Sequence, residues 1–167
     1  MVNTAEQARQ LVQDSLYPPQ GIRGLGTSMA RAAHWNGVEG YLQKANNEIC
    51  LIVQAETKQA IDNLEEVVAI DGVFIGASDL SASMGYVGNP GHPEVVAAVE
   101  KGIKIIVNAG KAAGVLAVDK VLAQGYEAKG ANFVDVGVDV SLLATSVRNL
   151  ANQFCTDDKA SELTAGY

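Results

Sequence analysis

Short, continuously apolar runs alternate with helix-like stretches along this chain, and that rhythm constrains its fold more than anything else in the sequence. The runs are Ile49–Ala55, Val73–Gly76, Ala113–Val118 and Phe133–Val138. They are unbroken rather than alternately apolar and polar, which is the pattern of strands covered on both faces in a parallel sheet. Each closes in a polar or glycine-bearing turn, after which a helical pattern begins. Parallel neighbours need crossover connections, and helices supply them with a right-handed sense. The expected class is α/β, and a closed barrel and an open doubly wound sheet both satisfy the pattern.

Helix starts can be read locally. Thr4-Ala5-Glu6-Gln7 has capping-box form. Thr57 is placed to cap a helix reaching about Val68, and Asp119 one closed by Gly130. Pro93 suits the first position of a long helix to about Ala112, because its missing N–H is one the helix would not use. His92, just before it, is expected to cap that helix rather than act in catalysis, and His34 to be structural or superficial. Ser141 is expected to cap a last helix to about Phe154. Tyr17–Asn47, with Pro18-Pro19 and glycines 21, 24, 26 and 37, reads as a long irregular segment. Residues 1–154 read as one domain and 155–167 as a loose polar tail.

Composition removes several function classes. The 167 residues are 48% apolar, enough for one domain with its own core. A formal net charge of −7 argues against a nucleic-acid backbone or an anionic membrane as partner. The longest apolar stretch, near Ala112–Val118, is far shorter than the roughly 18–20 residues that span a bilayer. Met1–Glu6 shows neither a basic nor an apolar leader region, so a cytoplasmic location is expected. Cys50 and Cys155 form no C-x-x-C pair and read as idle thiols. Gly21-Ile22-Arg23-Gly24-Leu25-Gly26 follows no strand and has the wrong spacing for a dinucleotide fingerprint.

The carboxylates at strand ends carry the chemistry. Gln54 and Glu56 lie two apart at the close of the first run and so share a face. Glu56 could equally begin the next helix and complement its dipole. Asp79, in Gly76-Ala77-Ser78-Asp79-Leu80, closes the second run, with an ordinary helix cap as the competing reading. The C-terminal ends of strands are where α/β sheets and barrels place their sites. On adjacent parallel strands, about 4.8 Å apart, the two carboxylates would converge. Such a pair needs a proton or a cation, and oxygen-only ligation suits Mg²⁺ or Mn²⁺. The amides of Ala77, Ser78 and Asp79 would face the same spot and attract a substrate carboxylate. Asp135 and Asp139 alternate with valines, so one or both could face a barrel interior, although Asp139 could also cap the last helix.

Five segments, taken in order, resemble the HpcH/HpaI aldolases: Tyr17–Gly24, Val53–Thr57, Val73–Leu80, Gly88–Glu94 and Val136–Asp139. The resemblance runs over about residues 1–154. It implies a TIM (β/α)8 barrel, with Met1–Thr4 similar to the end of the fourth strand and this chain covering strands five to eight. It implies a metal-dependent pyruvate aldolase that reversibly cleaves a 4-hydroxy-2-oxo acid to pyruvate and an aldehyde through a metal-stabilised enolate. Glu56 and Asp79 would hold the divalent metal (Mg²⁺, Mn²⁺ or Co²⁺). Gln54 would line the site, the amides of Ser78 and Asp79 would hold the pyruvate carboxylate, and Leu116 would line the acceptor pocket. A homo-oligomer is implied, a hexamer in the family, with the last helix exchanged between subunits. The family's base histidine and its keto-polarising arginine find no counterpart here, and Ala77 stands where the family pattern has proline. Two other readings are a metal- and keto-acid-binding half-barrel without turnover, and a citrate-lyase-like cleavage of acyl-thioesters. The Tyr17–Gly24 segment favours the aldolase branch.

Overall fold

The computed structural model describes residues 1–67 and 70–154; the expected tail, 155–167, lies outside the described residues. The four apolar runs form strands β1 (Ile52–Ala55), β2 (Gly72–Ile75), β3 (Ala112–Leu116) and β4 (Phe133–Asp135). They make one sheet in the order β1-β2-β3-β4, with every pairing parallel. Beyond β1, on the side away from β2, the Val2 amide donates to the Gln54 carbonyl at 2.8 Å. The N-terminal segment therefore lies against that edge.

Helices connect the strands: α1 (Ala5–Ser15), α2 (Tyr41–Glu48), α3 (Lys58–Asp62), α4 (Leu64–Val67), α5 (Ala77–Ser83), α6 (Pro93–Asn108), α7 (Lys120–Ala128) and α8 (Asp139–Phe154). The caps behave as their residue types dictate. Thr4, Thr57 and Asp119 accept from the amides of Gln7, Ala60 and Leu122, and the His92 side chain accepts from the Glu94 amide. Gln7 reaches back to the Asn3 amide at 2.7 Å, one residue before the partner a capping box would give it.

Some boundaries differ from expectation, each for a local reason. The stretch after Thr57 breaks at Asn63, whose side chain donates to the Asn3 carbonyl, so it forms α3 and α4 rather than one helix. The α6 helix ends at Asn108, where Gly110, at φ +71°, turns the chain into β3. The α8 helix begins at Asp139, whose carboxylate accepts from the Val140 amide, two residues before the expected Ser141. Within Tyr17–Asn47 the chain folds a short 3-10 turn (Arg31–Ala33) and then α2. This segment is tied down by Asn46, whose amide side chain spans the backbone N–H and C=O of Tyr17.

The core lies on one side of the sheet. Val95, Val99, Ile103 and Ile106 form a helical stripe on α6 and are fully buried against Val73, Ile75, Ala113 and Val115. Burying each such side chain stabilises the fold by roughly 1.5–3 kcal/mol. Gly102 lets α6 approach closely, since a Cβ there would stand 2.7 Å from the Ile75 Cδ1 atom. The other face of the sheet is open. Ile52 is 42% exposed and Phe133 is 47% exposed, although both belong to strands. The sheet thus has one face packed by helices and one that no described element covers.

Candidate active site

Register places the side chains of the open face in layers. Partners in a parallel ladder point the same way. Gln54 pairs with Phe74, Phe74 with Gly114, and Gly114 with Phe133. Gly114 leaves room for an aromatic floor: a Cβ there would meet the Phe74 ring at 2.6 Å. The Phe74 ring in turn meets Phe133 edge-on at 5.6 Å between centroids. Two residues further along each strand come Glu56, Gly76, Leu116 and Asp135. The Gly76 amide donates to the Ala55 carbonyl at 3.2 Å, which carries the β1–β2 ladder up to this layer.

Glu56 is the centre of the arrangement. It is one of two buried polar side chains among the described residues, at 8% exposure. Gln54 Nε2 donates to its Oε1 at 2.8 Å, so the two residues share a face as their spacing dictates. The Glu56 carboxylate lies over Gly76, where a Cβ would stand 2.5 Å from Oε1. Its pKa is raised above the ordinary 4.5, first by desolvation and then by the negative charge of Asp79, with the N-terminal ammonium acting in the opposite sense. The charge of Asp79, in the first turn of α5, is thus felt at Glu56 beyond the C-terminal end of β1.

Asp79 is not the helix cap that was one reading of its position. Gly76 occupies that place, and Asp79 is the third residue of α5, exposed at the mouth of the sheet. The amides of Ala77, Ser78 and Asp79 belong to the first turn of α5 and have no carbonyl four residues back within the helix. Ser81, fully buried, fixes that turn by donating to the Ser78 carbonyl at 2.7 Å. Leu116 is half-buried on the same face, at the end of β3.

The donor set suits a small hard cation. A carboxylate past the end of β1 and another in the first turn of α5 supply oxygen only, and the rest of an octahedral shell is left for water and substrate. Glu56 is desolvated and faces a like charge, the arrangement a cation relieves. No cluster of three or more His, Cys, Asp or Glu side chains able to hold a metal occurs among the described residues. The histidines stand apart. His92 stacks on Tyr86 at 3.6 Å between ring centroids, and His34 follows the 3-10 turn. No helix among the described residues is long and apolar enough to cross a membrane.

The fold defines an α/β protein with a parallel sheet, with the buried Glu56 carboxylate just past the end of its first strand. A profile of the HpcH/HpaI aldolase/citrate lyase family matches residues 1–146, and the chain belongs to that family. It is 56% identical over 165 residues to a hydroxypyruvate/pyruvate aldolase of Deinococcus radiodurans, covering 97% of this chain and 59% of that protein. It is 52% identical to a 4-hydroxy-2-oxo-heptane-1,7-dioate aldolase of Shigella sonnei, covering 92% of this chain and 60% of that one. The crystal structure of an HpcH/HpaI aldolase/citrate lyase family protein from Burkholderia cenocepacia superposes with a TM-score of 0.85 at 32% identity, over 92% of this chain and 62% of that one. The chain thus spans about three-fifths of the length of these curated relatives.

Proposed function

We propose that this chain carries the metal-binding half of a (β/α)8-barrel pyruvate aldolase, which reversibly cleaves a 4-hydroxy-2-oxo acid to pyruvate and an aldehyde. The observation that carries the reading is the buried Glu56 carboxylate, held over Gly76 by Gln54 and facing the charge of Asp79 in the first turn of α5. The one-sided sheet, with its aromatic floor exposed, is the inner face that opposing strands would close in such a barrel. The aldolase names of both curated relatives support this chemistry over acyl-thioester cleavage.

Each residue has a definite task. Glu56 and Asp79 would hold the divalent ion, which when bound supplies a Lewis acid for the negative charge that develops on the keto oxygen. Gln54 orients Glu56 by donating to Oε1, leaving the other oxygen free for a ligand bond. The amides of Ser78 and Asp79 receive the carboxylate of the keto acid, as helix N-terminal N–H groups do. Both contacts are in place before charge develops, so they act on the transition state without reorganisation. Leu116 forms an apolar wall towards the acceptor aldehyde and keeps water from it. Carboxylates committed to a cation are poor bases, so the proton next to the carbonyl goes to another group or to water.

A homo-oligomer completes the reading. The α8 helix buries none of its residues, yet Leu143, Val147, Leu150 and Phe154 make an apolar stripe along it. A groove between α7 and β4, lined by Ala117, Ala123, Val134 and Val136, is open on the helix side of the same sheet. This groove, whose rim also carries Lys120 and Glu127, would receive the apolar stripe of a helix from a second copy.

The test is exchange of the pyruvate methyl protons in D₂O with added Mn²⁺, followed by NMR after the metal is removed. Metal-dependent exchange that Glu56→Gln abolishes is expected. Exchange equal in the wild-type chain and the variant, or none above background, would overturn the assignment.

A further inference from the structure

We infer that Asp135 selects the acceptor, favouring an aldehyde with a neutral, hydroxylated tail over one that ends in a second carboxylate. The inference rests on the site proposed above and concerns the wall that the substrate tail would meet. Asp135 pairs in register with Leu116, so the two side chains stand side by side at the mouth of the open face. Two independent contacts confirm which way β4 faces. Phe133, two residues before Asp135, meets Phe74 on the open face. Val134 and Val136, its immediate neighbours, line the groove on the opposite face with Ala117. Asp135 is therefore turned towards the same space as Glu56 and Leu116, and it is exposed there.

The reach is right for a substrate tail. β1 and β4 are three strand spacings apart, roughly 14 Å along the sheet. A keto acid held by its first carbons at the ends of β1 and β2 extends across β3 over Leu116. Its tail then lies against the side chain at the end of β4. A carboxylate there accepts hydrogen bonds from hydroxyl groups and repels a second carboxylate. Of the two curated relatives, only one is named for its whole substrate, a seven-carbon dioate whose tail carries a charge.

The experiment compares two ligands on the full chain with Mg²⁺, by ligand-observed saturation-transfer NMR: a 4,5-dihydroxy-2-oxo acid with a neutral tail, and 4-hydroxy-2-oxoheptanedioate. Pyruvate is run alongside, with and without Glu56→Gln. The wild-type chain is expected to bind the neutral-tailed acid about five- to tenfold more tightly, as one like charge nearby would produce. Asp135→Asn, isosteric and uncharged, is expected to bring the two affinities within about twofold, mainly by improving the dioate. Asp135→Ser should do the same if the charge is what matters. A preference that survives both substitutions, or a wild-type chain that prefers the dioate, overturns the inference while leaving the aldolase site standing. Pyruvate that fails to bind in a Glu56-dependent manner overturns the site itself, and this inference with it.

Discussion

Gly76 and Glu56 are matched in shape: the carboxylate of Glu56 occupies the space that a side chain at position 76 would fill. A Cβ there would lie 2.5 Å from Oε1, 2.6 Å from Cγ and 2.8 Å from Cδ. The backbone of Gly76, at φ −86° and ψ 91°, is open to any residue. The glycine is thus needed for the room it leaves and not for its conformation. Gly76→Ala should leave the far-UV circular dichroism unchanged and weaken Mn²⁺ binding by at least about tenfold, a loss of ~1.4 kcal/mol or more. Electron paramagnetic resonance of free Mn²⁺ reads the affinity directly, and an unaltered affinity would refute the match.

The raised pKa of Glu56 makes stability depend on pH in a definite sense. Burial and the Asp79 charge favour the protonated form in the folded chain, so the folded state holds its proton above the ordinary 4.5 at which the unfolded state releases it. The contribution of this group is most favourable below that value and is lost as pH rises through the folded pKa. The metal-free chain should therefore lose Tm relative to Glu56→Gln as pH rises from the ordinary carboxylate range. Added Mn²⁺ should reverse the trend, because the ion competes with the proton. Thermal unfolding of both chains at several pH values, with and without metal, gives the comparison.

Thr57 joins the N-terminal segment to the site. Its hydroxyl accepts from the Ala60 amide at 3.0 Å and donates to Asn3 Oδ1 at 2.6 Å. Thr57→Ala removes a helix cap and a side-chain bond together, and should destabilise the chain by about 1–2 kcal/mol. Thr57→Ser, which keeps the hydroxyl, should recover most of the loss. Urea unfolding at constant m-value checks both.

The exposed stripe of α8 should matter for assembly and not for the fold of one chain. Replacing Leu143 and Leu150 by Glu places charges on a face that buries nothing within the chain. Sedimentation velocity is expected to show a shift to smaller species, with the circular dichroism of the chain preserved. An unchanged sedimentation coefficient would remove α8 from the interface.

Much of this protein is legible in its sequence because the relevant physics is local. Apolar runs mark the strands, although only one face of the sheet is covered within the chain, and Thr4, Thr57 and Asp119 mark helix starts through hydrogen bonds that span three residues. The common face of Gln54 and Glu56 follows from the two-residue period of a strand. The break at Asn63 was hidden because its partner, the Asn3 carbonyl, is 60 residues away. The helix Tyr41–Glu48 was hidden by the glycines and prolines before it, and is held where Asn46 grips Tyr17 across 29 residues.

By itself, then, the sequence determined the class of fold, the order of its elements and the common face of Gln54 and Glu56, since each depends on neighbours within a turn or a strand; Asp79, expected at a strand end, instead stands in the first turn of α5. Only the tertiary structure decided which strands lie side by side, and so which residues share a layer. Register across the sheet sets Gly76 beneath Glu56, turns Asp135 to the same space as Leu116 and leaves the Phe74–Phe133 floor uncovered. These relations join residues 19 to 59 positions apart, and no local pattern encodes a distance of that kind.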